Sequence, residues 1–487
     1  MSTMSTMSTK LRLFPLLLLL LTGCKVGPNY CVPQFDLPET FMEAPCASAS
    51  DENFTQWWTA FNDPYLNDLL ERASQQNLDY KIALERIFQA RAAYQVQFAQ
   101  IFPEIDAEGM AMRFRISNNV PGIAQISKGG FPLTQSFYQA ELAALWQLDL
   151  FGKFRRSAEA SYDLWEATAE EMRGVRITIL SEVARAYVAL CAYRKKLHVL
   201  QEIVTLDEEL MHLAESRFKK GLADKLEVEN TSATFESDRS QLFTVETGMK
   251  KEIYSLALLL GETPDCFLAN LQIAEEVPYA EGKIPVGLPS DLLRRRPDIR
   301  QAERQLASAT EQIGVAVADL FPSFSLTGTS GSLTSVPIQA SNVGYSSSSL
   351  DKLFTSSSSI WGVGIYMNAP ILDFGKREAT VDLRQAQRDE SYYAYKKTII
   401  AALTETESAL HAYFNEEKRE QSLEKQAEAN HRNFMLIKSQ VENGIADTRR
   451  LSAAKKQWLN SFTLLIDSRE ALASDLIAVY NALGGDW

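Results

Sequence analysis

The sequence predicts a mainly α protein with a membrane β part: duplicated long α-helical hairpins plus four β-strands per protomer. Three observations carry this expectation. Short landmarks recur in order at an almost constant offset, two proline-free stretches hold a sustained seven-residue ladder, and the segments between landmarks switch to an alternation of period two.

Phe102-Pro103 recurs as Phe321-Pro322, an offset of 219 (321 − 102). Phe151-Gly152-Lys153 recurs as Phe374-Gly375-Lys376, Gly221-Leu222-Ala223-Asp224 as Gly444-Ile445-Ala446-Asp447, and Leu260-Gly261 as Leu483-Gly484, each 223 residues on (374 − 151, 444 − 221, 483 − 260). Three landmarks with one offset mean that the stretch between them tolerates no change in length. The slip of four residues (223 − 219) falls where the period changes. The chain is a duplicated unit, with a first repeat over 79–261, an equatorial linker over 262–297 and a second repeat over 298–487.

From Met172, positions 176, 179, 183, 186, 190, 193, 197, 200, 204, 207, 211, 214 and 218 step by four and three, and only Arg176 and Asp207 are charged. Shifted by 223, the ladder runs through Tyr395, Ile399, Ala402, Ala409, Tyr413, Leu423, Ala427, Phe434, Ile437 and Val441. Such a repeat means long helices packed as a coiled coil. No proline occurs in 154–220 or 377–443, so nothing forces a break. At about 1.5 Å per residue, each helix is about 100 Å long. Gly221 and Gly444 end these helices by accepting the left-handed conformation, and Asp224 and Asp447 stand where they can cap the returning helices. The helical hairpins therefore span 154–260 and 377–483, and a further helix leads into each Phe-Pro landmark.

Between Phe-Pro and Phe-Gly-Lys, Tyr138, Ala140, Leu142, Ala144, Trp146 and Leu148 alternate with Gln139, Glu141, Ala143, Leu145 and Gln147. Trp361, Val363, Ile365 and Met367 repeat the pattern. Preceding strands are read from Met110, Met112, Phe114 and Ile116, and more weakly from 324–328. These give β-hairpins over 105–150 and 323–373, with connecting loops at 117–136 and 329–359. Segments of about ten residues with one apolar face suit strands crossing a bilayer at a tilt. Four strands cannot close a barrel, and an open edge in lipid leaves backbone groups unsatisfied, so oligomerisation must complete it.

The N-terminus is an address. Met1–Thr9 repeats Met-Ser-Thr, so Met4 or Met7 is an equally good start; Lys10 and Arg12 precede the apolar run Leu13–Leu21. Residues 1–23 are expected to be a signal peptide, too short to serve as a transmembrane helix. Leu21-Thr22-Gly23-Cys24 resembles a bacterial lipobox, which makes Cys24 the acylated first residue of a lipidated periplasmic segment over 24–78. Ordinary cleavage beside a chance cysteine is the weaker alternative. Lys25, rather than aspartate, follows Cys24, and by the same resemblance favours the outer membrane. Spacing alone does not establish a Cys31–Cys46 disulfide, and Cys191 and Cys266 read as simple thiols.

These features, with three specific passages, resemble the TolC superfamily of outer-membrane efflux factors and, within it, the NodT-type lipoproteins, the branch of OprM and CusC. The passages are Cys24–Tyr30 (CKVGPNY), Trp57-Trp58 with Phe61, Asp63-Pro64 and Asn77, and Leu288–Glu303 (LPSDLLRRRPDIRQAE). Asp149–Lys153 (DLFGK) and Leu372–Lys376 (LDFGK) match the strand-to-helix corners. The resemblance implies a homotrimer forming a 12-stranded outer-membrane β-barrel and a 12-helix periplasmic α-barrel. It also implies a passive exit duct for a tripartite efflux or type I secretion system, docked to a periplasmic adaptor and an inner-membrane pump of RND or ABC type.

On that resemblance, the bends Gly221, Leu222, Ala223, Asp224 and Gly444, Ile445, Ala446, Asp447 contact the adaptor, a role compatible with simply ending helices. Some relatives place aspartates in the pore beyond the second tip. This chain has Arg449 and Arg450 there, and Glu227 and Glu229 at the related places of the first hairpin. Two readings stand side by side: a periplasmic gate built from these four residues, or solvated helix charges worth under about 1 kcal/mol per pair.

An enzyme is not expected. His198, His212, His411 and His431 lack HExxH spacing, no Walker loop or GxSxG occurs, and no cofactor or metal site is read. With 62 acidic against 49 basic side chains, a net charge of −13, no nucleic-acid partner is expected. The alternative to a duct is a non-conducting periplasmic coiled-coil scaffold or adaptor lipoprotein, which the alternating strands disfavour. The exported substrate is not legible in the sequence.

Overall fold

The computed structural model describes residues 24–44, 56–117, 119, 132–269, 271, 274, 276–279, 289–326, 342–362, 364–443, 445 and 447–485. The expected signal peptide over 1–23, Cys46 with any pairing to Cys31, Gly444 and Ala446 lie outside the described residues. The chain divides into two compact units. The first takes in residues up to Val32, Phe88–Glu166 and Glu303–Tyr393; the second takes in Pro33–Ile87, Ala167–Ala302 and residues from Ala394 onward.

The helices are α1 (Pro64–Gln76), α2 (Leu78–Ala99), α3 (Lys153–Lys219), α4 (Lys225–Leu259), α5 (Pro264–Ala269), α6 (Pro297–Ala318), α7 (Lys376–Glu442) and α8 (Thr448–Ala482). The long helices α3 and α7 have 67 residues each and the returning helices α4 and α8 have 35 each. Pro64, Pro264 and Pro297 take the first helical position, where a missing N–H costs nothing.

The duplication extends to individual hydrogen bonds. Leu222 N–H donates to Arg217 O and Ile445 N–H to Gln440 O, each at 2.8 Å, closing α3 and α7. Glu262 N–H donates to Ala257 O at 2.9 Å and Gly485 N–H to Tyr480 O at 2.8 Å, closing α4 and α8. All four span five residues, and at Gly221, Gly261 and Gly484 the backbone is left-handed, as this helix-ending bond requires.

Where α4 ends and α2 begins, Asn77 does two jobs. Its Nδ2 donates to Leu259 O at 2.7 Å, and its Oδ1 accepts from Tyr80 N–H at 2.9 Å, capping α2. Arg296, 219 residues on (296 − 77), donates through Nη1 to Ala482 O at 2.8 Å, immediately before α6. A Cβ on Gly261 would lie 2.9 Å from Gln76 O, and one on Gly484 would lie 3.1 Å from Arg295 C. Both returning helices thus meet the start of the next helix at a glycine, end against end.

The ladder forms the seam. Eight of the nine buried residues of α7 sit on it (Tyr395, Ile399, Ala402, Thr406, Tyr413, Glu420, Ala427 and Ile437), Leu410 being the ninth. The buried face of α3 is broader, adding Leu180, Ala184, Tyr187, Val188 and Cys191. Trp57 stacks on Tyr480 at 5.3 Å and Tyr187 donates to Asp63 at 2.9 Å, seating α1 and the turn before it on this core.

All strands among the described residues lie in the first unit. An antiparallel sheet has the order β1 (Glu104–Arg115), β2 (Thr134–Leu145), β5 (Asn342–Ser347), β6 (Ser359–Trp361). A second sheet joins β4 (Ser323–Ser325) to β3 (Gln147–Leu148) and β7 (Tyr366–Asn368). Two expectations are corrected. The run from Trp361 to Met367 is not one strand; it breaks between β6 and β7, around Gly362 and Gly364, which weaken a strand interior. Conversely, β5 forms inside the segment read as a loop, because the open edge of β2 supplies main-chain partners, with Val343 opposite Leu142.

The register also corrects the apolar face of β1. Met110 lies opposite Gln139 and Glu108 opposite Glu141, and opposed residues point to the same side of a sheet. Met110 and Met112 therefore share the polar face. The apolar face is Ile105, Ala107, Gly109 and Ala111, opposite Ala144, Leu142, Ala140 and Tyr138. Among the described residues, no helix is long and apolar enough to cross a membrane.

Candidate functional site

The bends of the two helical hairpins hold most of the residues singled out from the sequence. At the first, Gly221 has φ +73°, the conformation that lets α3 stop within one residue. Asp224 then caps α4, accepting from Glu227 N–H at 2.8 Å. At the second, Asp447 caps α8 by accepting from Arg450 N–H at 2.9 Å. That backbone bond, with the Arg449 guanidinium beside it, holds the Asp447 carboxyl below the usual carboxylate range. Leu222 and Ile445, at equivalent points of the bends, are 66% and 77% exposed. Among the described residues, nothing covers these two apolar side chains.

Beyond the bends, Glu227 draws the hairpins together. Its Oε1 accepts from Arg449 Nη1 at 3.3 Å and stands 3.8 Å from Arg217 Nε. Arg449 also meets Asp447 at 3.3 Å. The structure thus joins Glu227 and Arg449, as a charge pair between hairpins. It does not join the other two: Glu229 faces Lys225 one turn back on its own helix at 3.8 Å, and Arg450 contributes only its backbone N–H. Arg217 is a member the sequence reading missed. Its signal was a basic residue in the last turn of a helix, where it faces the carbonyl end; Arg217 Nη2 donates to Leu222 O at 3.3 Å.

A second charge cluster lies higher in the same helices. Lys456 of α8 donates to Asp207 of α3 at 2.8 Å and lies 2.6 Å from Asp238 of α4. Asp207, one of the two charged exceptions on the ladder, is 3% exposed. Burial pushes its carboxyl up, against the pull of Lys456. Three helices are thereby fixed in one register by a polar group at a core position, a device that specifies packing at some cost in stability.

Cys24 is exposed at the start of the described chain, and the residues after it are held against α3 and α6. Chemically, the tips offer exposed apolar contact points and a half-exposed ion-pair network.

Residues 69–262 and 288–485 match the family model described as outer membrane efflux protein. The chain is 29% identical over 443 residues to nodulation protein T of Rhizobium leguminosarum bv. trifolii, covering 91% of this chain and 90% of that protein. It is 29% identical over 474 residues to the probable efflux pump outer membrane protein TtgC of Pseudomonas putida, covering 96% and 94%. A solved structure of the outer-membrane channel OprN matches with a TM-score of 0.81 at 26% identity, covering 95% of this chain and 100% of that one.

Proposed function

This chain belongs to the outer membrane efflux protein family, and we propose from that premise how it works as an efflux channel, the outer-membrane exit duct of a tripartite system. The observation that carries the reading is the four-stranded sheet. Over 105–111 and 138–144 one face is apolar, the other bears Asp106, Glu108, Gln139 and Glu141, and among the described residues the outer strands β1 and β6 each leave an edge open. Open edges are not tolerated in hydrocarbon, so copies of the chain must pair edge to edge. Three copies give twelve strands, with the apolar face toward lipid and the acidic face toward the lumen. The homotrimer extends its helical hairpins into the periplasm and needs no catalytic step of its own.

The tips meet a periplasmic adaptor coupled to an inner-membrane pump. Leu222 and Ile445, exposed beside Gly221, Ala223, Gly444 and Ala446, support apolar contact with closely approaching helices. Glu227 and Arg449, with Arg450 and Glu229 nearby, form the gate at the same end. Cys24 carries the lipid, anchoring the chain to the outer membrane by several acyl chains where one would not suffice.

Planar-bilayer recording of the purified, heat-modifiable trimer tests the duct. Conductance is expected; a trimer that never conducts would point to the scaffold reading. For the tips, Leu222→Asp with Ile445→Asp should abolish export while leaving the trimer intact. Export at the unsubstituted level would remove them from the adaptor interface.

A further inference from the structure

The segment behind Cys24 is gripped by a buried charge. Arg156 of α3 is 0% exposed, and its guanidinium is shared among four acceptors. Nε donates to Val26 O at 3.1 Å, Nη2 to Gly27 O at 3.1 Å and to Asn29 Oδ1 at 3.0 Å, and Nη1 to Glu311 Oε2 at 2.6 Å. Three of these four acceptors belong to the N-terminal segment. Without that segment the guanidinium would keep the Glu311 carboxylate and lose three of its four hydrogen bonds, each stronger than usual because the donor is charged.

Glycines make room for this grip. Gly27 has φ +86°, and a Cβ there would lie 2.5 Å from Gly314 Cα of α6. A Cβ on Gly314 would in turn lie 2.7 Å from Arg156 Nε. The segment continues to be pinned on both sides of Gly27. Val26 N–H donates to Phe151 O at 3.2 Å, Lys25 pairs with Glu159, and Tyr30 donates to Glu303 at 3.3 Å. A Cβ on Gly152 would lie 3.0 Å from Lys25 Cα, so Lys25 lies directly on the strand-to-helix corner. Only Lys25 separates Cys24 from the gripped residues.

We propose that Arg156 and Gly314 form a receptor for the chain's own processed N-terminus, with Gly27 as the residue of that segment it admits, a positioning site that holds Cys24 beside the Phe151-Gly152 corner. The inference rests on the lipidation of Cys24 and deepens it. An anchor on a free segment only keeps a protein at a membrane; an anchor one residue from a rigid clamp fixes the height at which the strands meet the leaflet. Docking of the segment and satisfaction of the buried guanidinium are one event. The clamp therefore couples the lipid to assembly of the strand-bearing unit, and Arg156 acts through the segment rather than on any transported molecule.

The test uses the full chain expressed in cells, with three readouts: incorporation of labelled palmitate, protease resistance of residues 25–30, and yield of heat-modifiable trimer. Gly27→Ala and Arg156→Lys should keep the label, lose protease protection of the segment and lose trimer. A four-residue Gly-Ser insertion between Lys25 and Val26 should keep both label and protection, because the clamp is untouched, yet lose trimer in the outer membrane. Trimer yield from the insertion equal to that of the parent would overturn the register claim, and protection that survives Gly27→Ala would overturn the clamp. A parent chain that takes up no palmitate removes the lipid reading and the register claim together, whereas protection still reports on the clamp by itself.

Discussion

Arg449 of the second helical hairpin donates to Glu227 of the first at 3.3 Å, and Arg217 brings a second guanidinium to within 3.8 Å of the same oxygen. Both partners are partly exposed, so each pair is worth under about 1 kcal/mol. Such a link is suited to a gate, being strong enough to bias a closed state and weak enough to yield.

Arg449→Ala should raise the open probability of reconstituted channels, and Glu227→Ala should do the same. Arg450→Ala should change little, because its side chain lies outside the network. Exchanging the charges, Glu227→Arg with Arg449→Glu, should restore the parent behaviour only in part, because the new side chains would meet Arg217 and Asp447, each of like charge. Single-channel recording checks all four; unchanged conductance and open probability in Arg449→Ala/Arg450→Ala would remove both arginines from the gate.

Removing Lys456 leaves Asp207 and Asp238 facing each other in a buried site. Lys456→Met should cost about 3–5 kcal/mol at neutral pH, the usual penalty for breaking a buried pair. The sign with pH follows from burial, which already raises the Asp207 carboxyl. A carboxyl raised in the folded state contributes most below its ordinary value and loses that contribution as pH rises through the folded value. Loss of Lys456 raises the folded value further. The stability deficit of Lys456→Met, read by thermal unfolding of the trimer, should therefore shrink as pH falls and grow toward neutrality.

Asp163 of α3 predicts a second pH effect. Burial pushes its carboxyl up to about 6, although Arg304 of α6 stands 3.5 Å away and opposes the shift. Its contribution to stability is complete below the ordinary carboxylate value and disappears as pH climbs through about 6. Asp163→Asn should flatten the difference in stability between acid and pH 6. A pH series of unfolding midpoints for the parent and the variant reads this directly.

The helix joints should be separately breakable. Asn77→Ala removes a cap and a bond to Leu259 O, and should cost about 1–2 kcal/mol. Gly484→Ala should cost more than the ordinary glycine-to-alanine change, because φ is +106° and its Cβ would press on Arg295. Hydrogen exchange should then rise at the end of α4 for Asn77→Ala, and at the end of α8 for Gly484→Ala. Exchange spread evenly over both hairpins would argue against joints that act locally.

Much of this was legible because it is local. The stops at Gly221 and the caps at Asp224 and Asp447 need only neighbours in the chain, and eight buried residues of α7 fall on a ladder read by counting alone. The repeat was legible because both halves conserve one offset across the long hairpins. Strands fared worse: β5 arises from an edge 201 residues away (343 − 142), and the glycines that interrupt the last strand were absorbed into an alternation that looked continuous.

Sequence by itself determined the duplicated helical hairpins, their bends and the switch to strands, because periodicity, glycine and proline act within a few residues. Tertiary structure alone decided three other matters. It put Met110 and Met112 on the polar face of β1, gave Glu227 its partner Arg449, and assigned Asn77 and Arg296 to equivalent joints in the two repeats. The physical reason is common to all three. Register and ion pairing depend on which distant segment lies alongside, and a shift of one residue in a strand exchanges every face without altering its pattern.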